Sequence, residues 1–258
     1  MSMASVYWYA YQGLLIKQLR RFLRSWVQSL LPSLVTAGLF LLIFGHLMGK
    51  DLPARDGVAY VEFLMPGLIM FAVISNAYSN CTLAFYGARL QRHIEEMLIA
   101  PMPAWIIVAG FVSAGVIRGL LAGSLVALMA MPFTSLQLHH AGFAVGVAVM
   151  SALLFSLAGV INGVYARSFD DTSLISTFIL TPLIYLGGVF YPVESLAAPW
   201  ADISMINPML YVVDGFRYGL LGIPGHGGTI TFVVLTLLTL LMAGLAWFLI
   251  DRGVRIKS

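Results

Sequence analysis

Six apolar stretches, each about as long as a bilayer is thick, occupy most of the 258 residues. They cover residues 30–48, 63–86, 104–131, 142–166, 174–191 and 230–250. A hydrocarbon core of ~30 Å is crossed by ~20 helical residues rising ~1.5 Å each. Lipid offers backbone groups no hydrogen bonds, so each stretch must satisfy its own as a helix. The pattern predicts an all-α membrane protein with six transmembrane helices in a single domain. Composition agrees: 60% of residues are hydrophobic and 10% charged, against roughly 25% charged in a soluble domain. The first stretch begins too late for a cleaved signal, and the stretches are too evenly spread for a leader followed by a soluble body.

Lys and Arg set the orientation. Lys17, Arg20, Arg21 and Arg24 precede the first span, Arg89 and Arg92 follow the second, Arg167 follows the fourth, and Arg252, Arg255 and Lys257 follow the sixth. The opposite side has only Lys50, Arg55 and Arg217, while Arg118 lies inside a span. Both termini are therefore expected in the cytoplasm. Residues 5–27 keep a helical period in Tyr7, Tyr11, Leu14, Leu15, Gln18, Leu19, Phe22 and Trp26, with the basic residues largely elsewhere. This predicts an amphipathic helix lying on the cytoplasmic face of the membrane. The alternative is an ordinary polar lead-in helix.

Polar residues inside the spans mark contacts or a pathway, because an amide or charge facing lipid is costly. In span two, Asn76 and Asn80 are one turn apart with Ser79 beside them, roughly opposite the stripe Phe71, Tyr78 and Phe85. That polar face must meet another helix or water. Span five carries Ser173, Ser176, Thr177 and Thr181 on one face, followed by Pro182 and Gly187-Gly188, and is expected to kink. Its hydroxyls either bond back to their own helix or line a pathway. Arg118 needs an acid, water or carbonyls, and a structural ion pair is the expectation over substrate contact. Gly115, Gly119 and Gly123 in span three, with Gly142/Gly146 and Gly159/Gly163 in span four, invite close helix packing.

Two connections stand out. Residues 87–100 are polar and end at Pro101-Met102-Pro103. They read as a short amphipathic helix with a possible Arg92–Glu96 pair and a docking surface made by Arg89, Arg92, Glu95 and Glu96. Residues 192–228 are neither a span nor an ordinary loop. Asn207-Pro208 supplies an N-cap and first-turn proline, and Gly222 with Pro224 marks the end. The helix between them is too short to cross. Asp214 and Arg217 can pair on it, and residues 194–205 can form a second short piece. Such pieces at membrane depth need protein or water around them.

Several chemistries find no support. Cys81 is the only cysteine, which excludes an internal disulfide. Asn80-Cys81-Thr82 fits a glycosylation sequon but lies mid-span. Gly45 to Asp51 resembles a phosphate-binding loop, yet its glycines are one residue too close and Asp51 stands where Ser or Thr should bind magnesium. No hydrolase elbow or zinc-protease motif occurs, and the histidines His46, His93, His139, His140 and His226 are scattered. Asp170 and Asp171 suit surface roles, and no metal spacing stands out. A net charge of +3 does not argue for nucleic acid.

The order and spacing of these pieces resemble the type-2 ABC transporter permease family over almost the whole chain. The resemblance rests on the basic lead helix and six spans, on residues 87–103, on Arg167-Ser168-Phe169-Asp170-Asp171, on residues 181–191, and on Asn207-Pro208 followed by Arg217. It implies an inner-membrane permease subunit that pairs with a second copy of itself and with two copies of a separate ATPase. ATP and Mg would bind to that partner and no cofactor to this chain. It also implies a connecting helix at 5–27, a coupling helix at 87–100 and re-entrant helices in 192–222. Spans two and five would then line the pathway through Asn76, Ser79, Asn80, Ser173, Thr177 and Thr181, with Asn207, Asp214 and Arg217 at an external gate. Its expected action is export of an amphipathic, lipid, glycan or drug-like substrate. A transporter working without ATP and an intramembrane enzyme are the alternatives.

Overall fold

The computed structural model describes residues 2–47, 58–99, 102–134, 138–193, 196–197, 199–223, 225 and 228–254. The expectations placed on Lys50, Asp51, Arg55, Pro101, Glu194, Pro224, His226, Arg255 and Lys257 lie outside the described residues. So does Ala100, the last residue of the expected 87–100 helix. The described elements are helical: α1 (Met3–Arg24), α2 (Trp26–Leu41, continued by a wider turn over Leu42–Leu47), α3 (Tyr60–Leu90), α4 (His93–Ile99), α5 (Ala104–Ala130) and α6 (Ala141–Tyr165). They continue with α7 (Phe169–Ile175), a wider turn over Ser176–Leu180, α8 (Thr181–Leu186), α9 (Trp200–Ile206), α10 (Pro208–Leu221) and α11 (Gly228–Asp251).

Among the described residues, five segments are long and apolar enough to cross a membrane: Trp26–Phe44, Tyr60–Leu90, Ala104–Ala130, Ala141–Tyr165 and Gly228–Asp251. The other expected span, 174–191, is not one helix. Thr181 donates its N–H back five residues to Ser176, which opens the turn, and Pro182 lacks an N–H to hold the next one.

α3 is the central helix, with α5 and α6 packed on it. Glycine makes the close approach possible. A Cβ on Gly159 would stand 2.4 Å from the Tyr78 carbonyl oxygen, and one on Gly119 2.8 Å from that of Val73. Gly115 and Gly163 also press on α3, whereas nothing approaches Gly142 within 4 Å. The small-residue pattern of span four thus acts at Gly159/Gly163, and at Gly146 it receives Phe232 of α11.

α1 runs beside α5: Tyr7 meets Trp105, the Tyr11 hydroxyl bonds Ser113 at 2.9 Å, Leu14 rests on Gly110, and Phe22 lies under Arg118. The outermost of these contacts, Tyr7–Trp105 and Phe22–Arg118, are separated by roughly 20 Å along each helix at ~1.5 Å per residue. The pairing follows from the buried line Leu14, Gln18 and Phe22, which repeats every four residues and fits the α5 surface. The lead helix also ends at Arg24, so Trp26 begins α2 instead of closing α1.

Candidate functional site

The polar face of α3 meets neighbouring helices of its own chain. The Asn76 amide donates to Ser33 Oγ of α2 at 2.8 Å and to its own Ala72 carbonyl at 3.0 Å. Asn80 Oδ1 accepts from Arg118 of α5 at 3.1 Å and from Arg21 of α1 at 3.3 Å. Both asparagines are buried. The partner of Arg118 is therefore an amide, where an ion pair was expected. Its guanidinium also stands 5.6 Å over the Phe22 ring.

The strip of α3 that its neighbours leave partly open is offset by one residue from the asparagines. It carries Phe71, Ser75, Ser79 and Leu83, spaced by four along one line of the helix. Tyr78 and Phe85 are buried on the inner side. Ser173 and Thr177 lie exposed on the broken helix, while Ser176 and Thr181 are half-buried. Two of the four hydroxyls bond backwards: Ser173 to the Asp170 carbonyl at 2.8 Å and Thr181 to that of Ser176 at 2.9 Å. At the Tyr60 end of α3 lies a cluster of aromatic side chains. Phe190 contacts Phe40 of α2 at 4.9 Å and Tyr185 of α8 at 5.2 Å, and its carbonyl accepts the Tyr60 hydroxyl at 2.7 Å.

At the opposite end of α3, residues 87–99 do not form one helix. α3 continues to Leu90, and Arg92 turns the chain with φ at 59° before α4 begins. Arg92 therefore precedes α4, and the expected one-helix geometry for an Arg92–Glu96 pair is not present. Arg89 belongs to α3 and points inward, donating to the Val164 and Ala166 carbonyls at the end of α6. Ile94 is buried and anchors α4 to the bundle, while Arg92, Glu96, Leu90 and Ile99 are exposed and Glu95 is half-buried. The free surface of this connection is smaller than expected and centres on Arg92, Glu95 and Glu96.

Among the described residues, the 192–222 segment holds α9 (Trp200–Ile206) and α10. α10 starts at an Asn207 cap whose side chain accepts from the Met209 N–H at 3.0 Å. The same amide donates to the Leu183 carbonyl at 2.6 Å, tying α10 to α8. Gly222 ends α10 at φ 71°, a left-handed conformation glycine adopts freely. Arg217 is 5% exposed. It pairs with Asp214 at 3.0 Å and donates to the Gly188 carbonyl at 2.8 Å and the Phe63 carbonyl at 3.4 Å. Its guanidinium lies 3.8 Å from the Phe63 ring centroid. One side chain thus joins α10 to α3 and to the turn after α8.

Comparison with known proteins gives this arrangement a family. The model of the ABC-2 type transporter membrane domain matches residues 9–221, from α1 through α10. The chain belongs to the ABC-2 type transporter family. It is 45% identical over 256 residues to the inner membrane transport permease YadH of Escherichia coli (strain K12), covering 99% of this chain and all of that one. It is also 26% identical over 197 residues to nodulation protein J of Rhizobium leguminosarum bv. viciae, covering 76% of each chain.

As an ABC-2 permease, the chain carries features that its hydropathy alone did not single out. Ser75 shares the open strip with Ser79, and Ser33 holds Asn76. The signal for Ser75 was its spacing of four from Phe71 and Ser79. For the Arg21–Asn80 contact there was none, because it joins residues from helices whose packing the sequence pattern does not define.

Proposed function

We propose that this chain is the membrane subunit of an inner-membrane ABC exporter, working as a pair of identical copies with two copies of a separate ATPase. Family membership over α1–α10 carries this reading. The broken α7–α8 unit completes a sixth crossing, and α9 and α10 dip into the membrane from the external side, held there by Asn207 and Arg217. The charge bias places both termini in the cytoplasm. On that side α4, with Arg92, Glu95 and Glu96, receives the ATPase, while Arg89 fixes the adjoining ends of α3 and α6.

The pathway runs between the two copies. Ser79 and Ser75 on α3 face it together with Ser173, Thr177 and Thr181 on the broken span. Asn76 and Asn80 form the polar layer behind this surface, binding α2, α1 and α5. The neutral, partly aromatic character of the strip suits an amphipathic substrate better than a small ion. Copies exchange between inward- and outward-facing states as the ATPase closes on ATP.

Affinity purification of the tagged chain from its native membrane tests this reading. The expected result is an equimolar, P-loop-containing ATPase subunit and ATP hydrolysis by the complex. A chain that purifies without an ATPase and moves substrate on an ion gradient alone would establish a secondary transporter instead.

A further inference from the structure

Where α1, α3 and α5 meet, two guanidinium groups converge on one neutral oxygen. Asn80 Oδ1 receives both Arg118, at 3.1 Å, and Arg21, at 3.3 Å. Each guanidinium offers five N–H donors in a planar fork. Arg118 Nε is buried with no acceptor among the described residues. No described carboxylate lies within ion-pair distance of either arginine; the ion pair described in this chain is that of Asp214 and Arg217. Gln18 is one turn before Arg21 on α1 and 4% exposed, and its Oε1 has no donor among the described residues.

Two cations held together at the bundle wall repel each other, and one amide oxygen does not neutralise them. An anion between them would remove the repulsion and take up the idle donors. Arg21 lies on the exposed side of α1, so the cluster can be reached from outside the bundle. Its surroundings indicate what can arrive there. The outward surface of α1 carries Trp8, Tyr9, Ile16 and Leu23 together with Lys17, Arg20 and Arg24. Such a mixed aromatic, aliphatic and basic surface suits anionic lipid. Paired guanidinium forks match the tetrahedral oxygens of phosphate.

We propose that Arg21 and Arg118, set by Asn80, form a binding site for a phosphate-bearing anion, supplied by an anionic lipid headgroup or by free phosphate. The site stands apart from the α4 surface and the open strip of α3, and it does not depend on how transport is powered.

The test follows thermal unfolding of the purified full chain by tryptophan fluorescence in neutral detergent. Phosphatidylglycerol is titrated against phosphatidylcholine, and inorganic phosphate against chloride at matched ionic strength. Phosphatidylglycerol is expected to raise the unfolding temperature saturably. Losing one charge-assisted contact in Arg21→Gln or Arg118→Gln should raise the half-saturating concentration about tenfold. Lys17→Gln combined with Arg20→Gln should leave it unchanged, which separates the site from general surface charge. A shift with phosphate alone assigns a free-anion site, and a shift with phosphatidylglycerol only assigns a lipid headgroup.

Asn80→Asp keeps the proposal testable if an arginine variant fails to fold. It places a carboxylate between the arginines, so the unliganded chain should become more stable and cease to respond to either anion. The proposal is overturned if neither anion shifts the wild-type chain, if the arginine variants respond as the wild type does, or if Asn80→Asp keeps the full response.

Discussion

Removing Arg217 should loosen the end of the fold that holds α10 more than any other single truncation in that helix. Its side chain is 6% exposed and that of Asp214 12%. The guanidinium also holds the Gly188 and Phe63 carbonyls. Breaking a buried pair by removing one partner costs about 3–5 kcal/mol, because the other charge is left behind. Arg217→Ala leaves Asp214 without this cation and unties α10 from α3 and the turn after α8. At about 2–4 °C per kcal/mol for a chain of this size, the unfolding temperature should fall by roughly 10 °C. Asp214→Ala should cost less, about 1.5–3 kcal/mol, since Arg217 keeps its two carbonyl acceptors. The double variant should be less severe than the two effects added together. The assay is thermal unfolding of the four purified proteins, with expression level as a check. Strict additivity, or an Arg217→Ala protein as stable as wild type, would refute the reasoning.

Gly159→Val should destabilise the α3–α6 contact by about 1–3 kcal/mol or more through overpacking, since its Cβ would stand 2.4 Å from the Tyr78 carbonyl oxygen. Gly142→Ala, with nothing within 4 Å, should leave the unfolding temperature within about 1 °C of wild type. Reversing Glu95 and Glu96 to Lys should reduce ATPase co-purification or uncouple ATP turnover without changing the unfolding temperature. Undiminished co-purification and turnover would remove these two acids from the docking surface.

Hydropathy located the long helices because lipid leaves the backbone one solution, and the long apolar helices follow from composition and length. The α10 helix was equally legible: Asn207, Pro208 and Gly222 each act through local backbone chemistry, and the structure uses the asparagine and glycine as caps. The break in the fifth apolar stretch was visible in Pro182, although the opened turn lies ahead of it at Ser176–Leu180. Where the outcome depends on which helix lies beside which, the sequence pattern was ambiguous. The line Leu14, Gln18 and Phe22 reads the same whether it faces lipid or α5. The Asn76/Asn80 face announced that it needed partners but could not name Ser33, Arg21 or Arg118. Arg89 appeared as a surface charge because its acceptors, the Val164 and Ala166 carbonyls, come from the far end of another helix. Of the three polar residues read together on span two, Ser79 lies on the open strip, while Asn76 and Asn80 stand about 100° around α3 from it, against helices the sequence pattern does not name.

The central claim is that a partner's ATP use changes access to the strip of α3 that carries Ser79. The most direct measurement is the labelling rate of Ser79→Cys, in a Cys81→Ala background, by a water-soluble maleimide in the purified complex reconstituted in lipid. The account predicts that labelling speeds or slows several-fold on addition of ATP with vanadate, while a buried control, Ala77→Cys, stays unreactive in both states. An identical Ser79→Cys rate with and without nucleotide, in a complex that hydrolyses ATP, would contradict it.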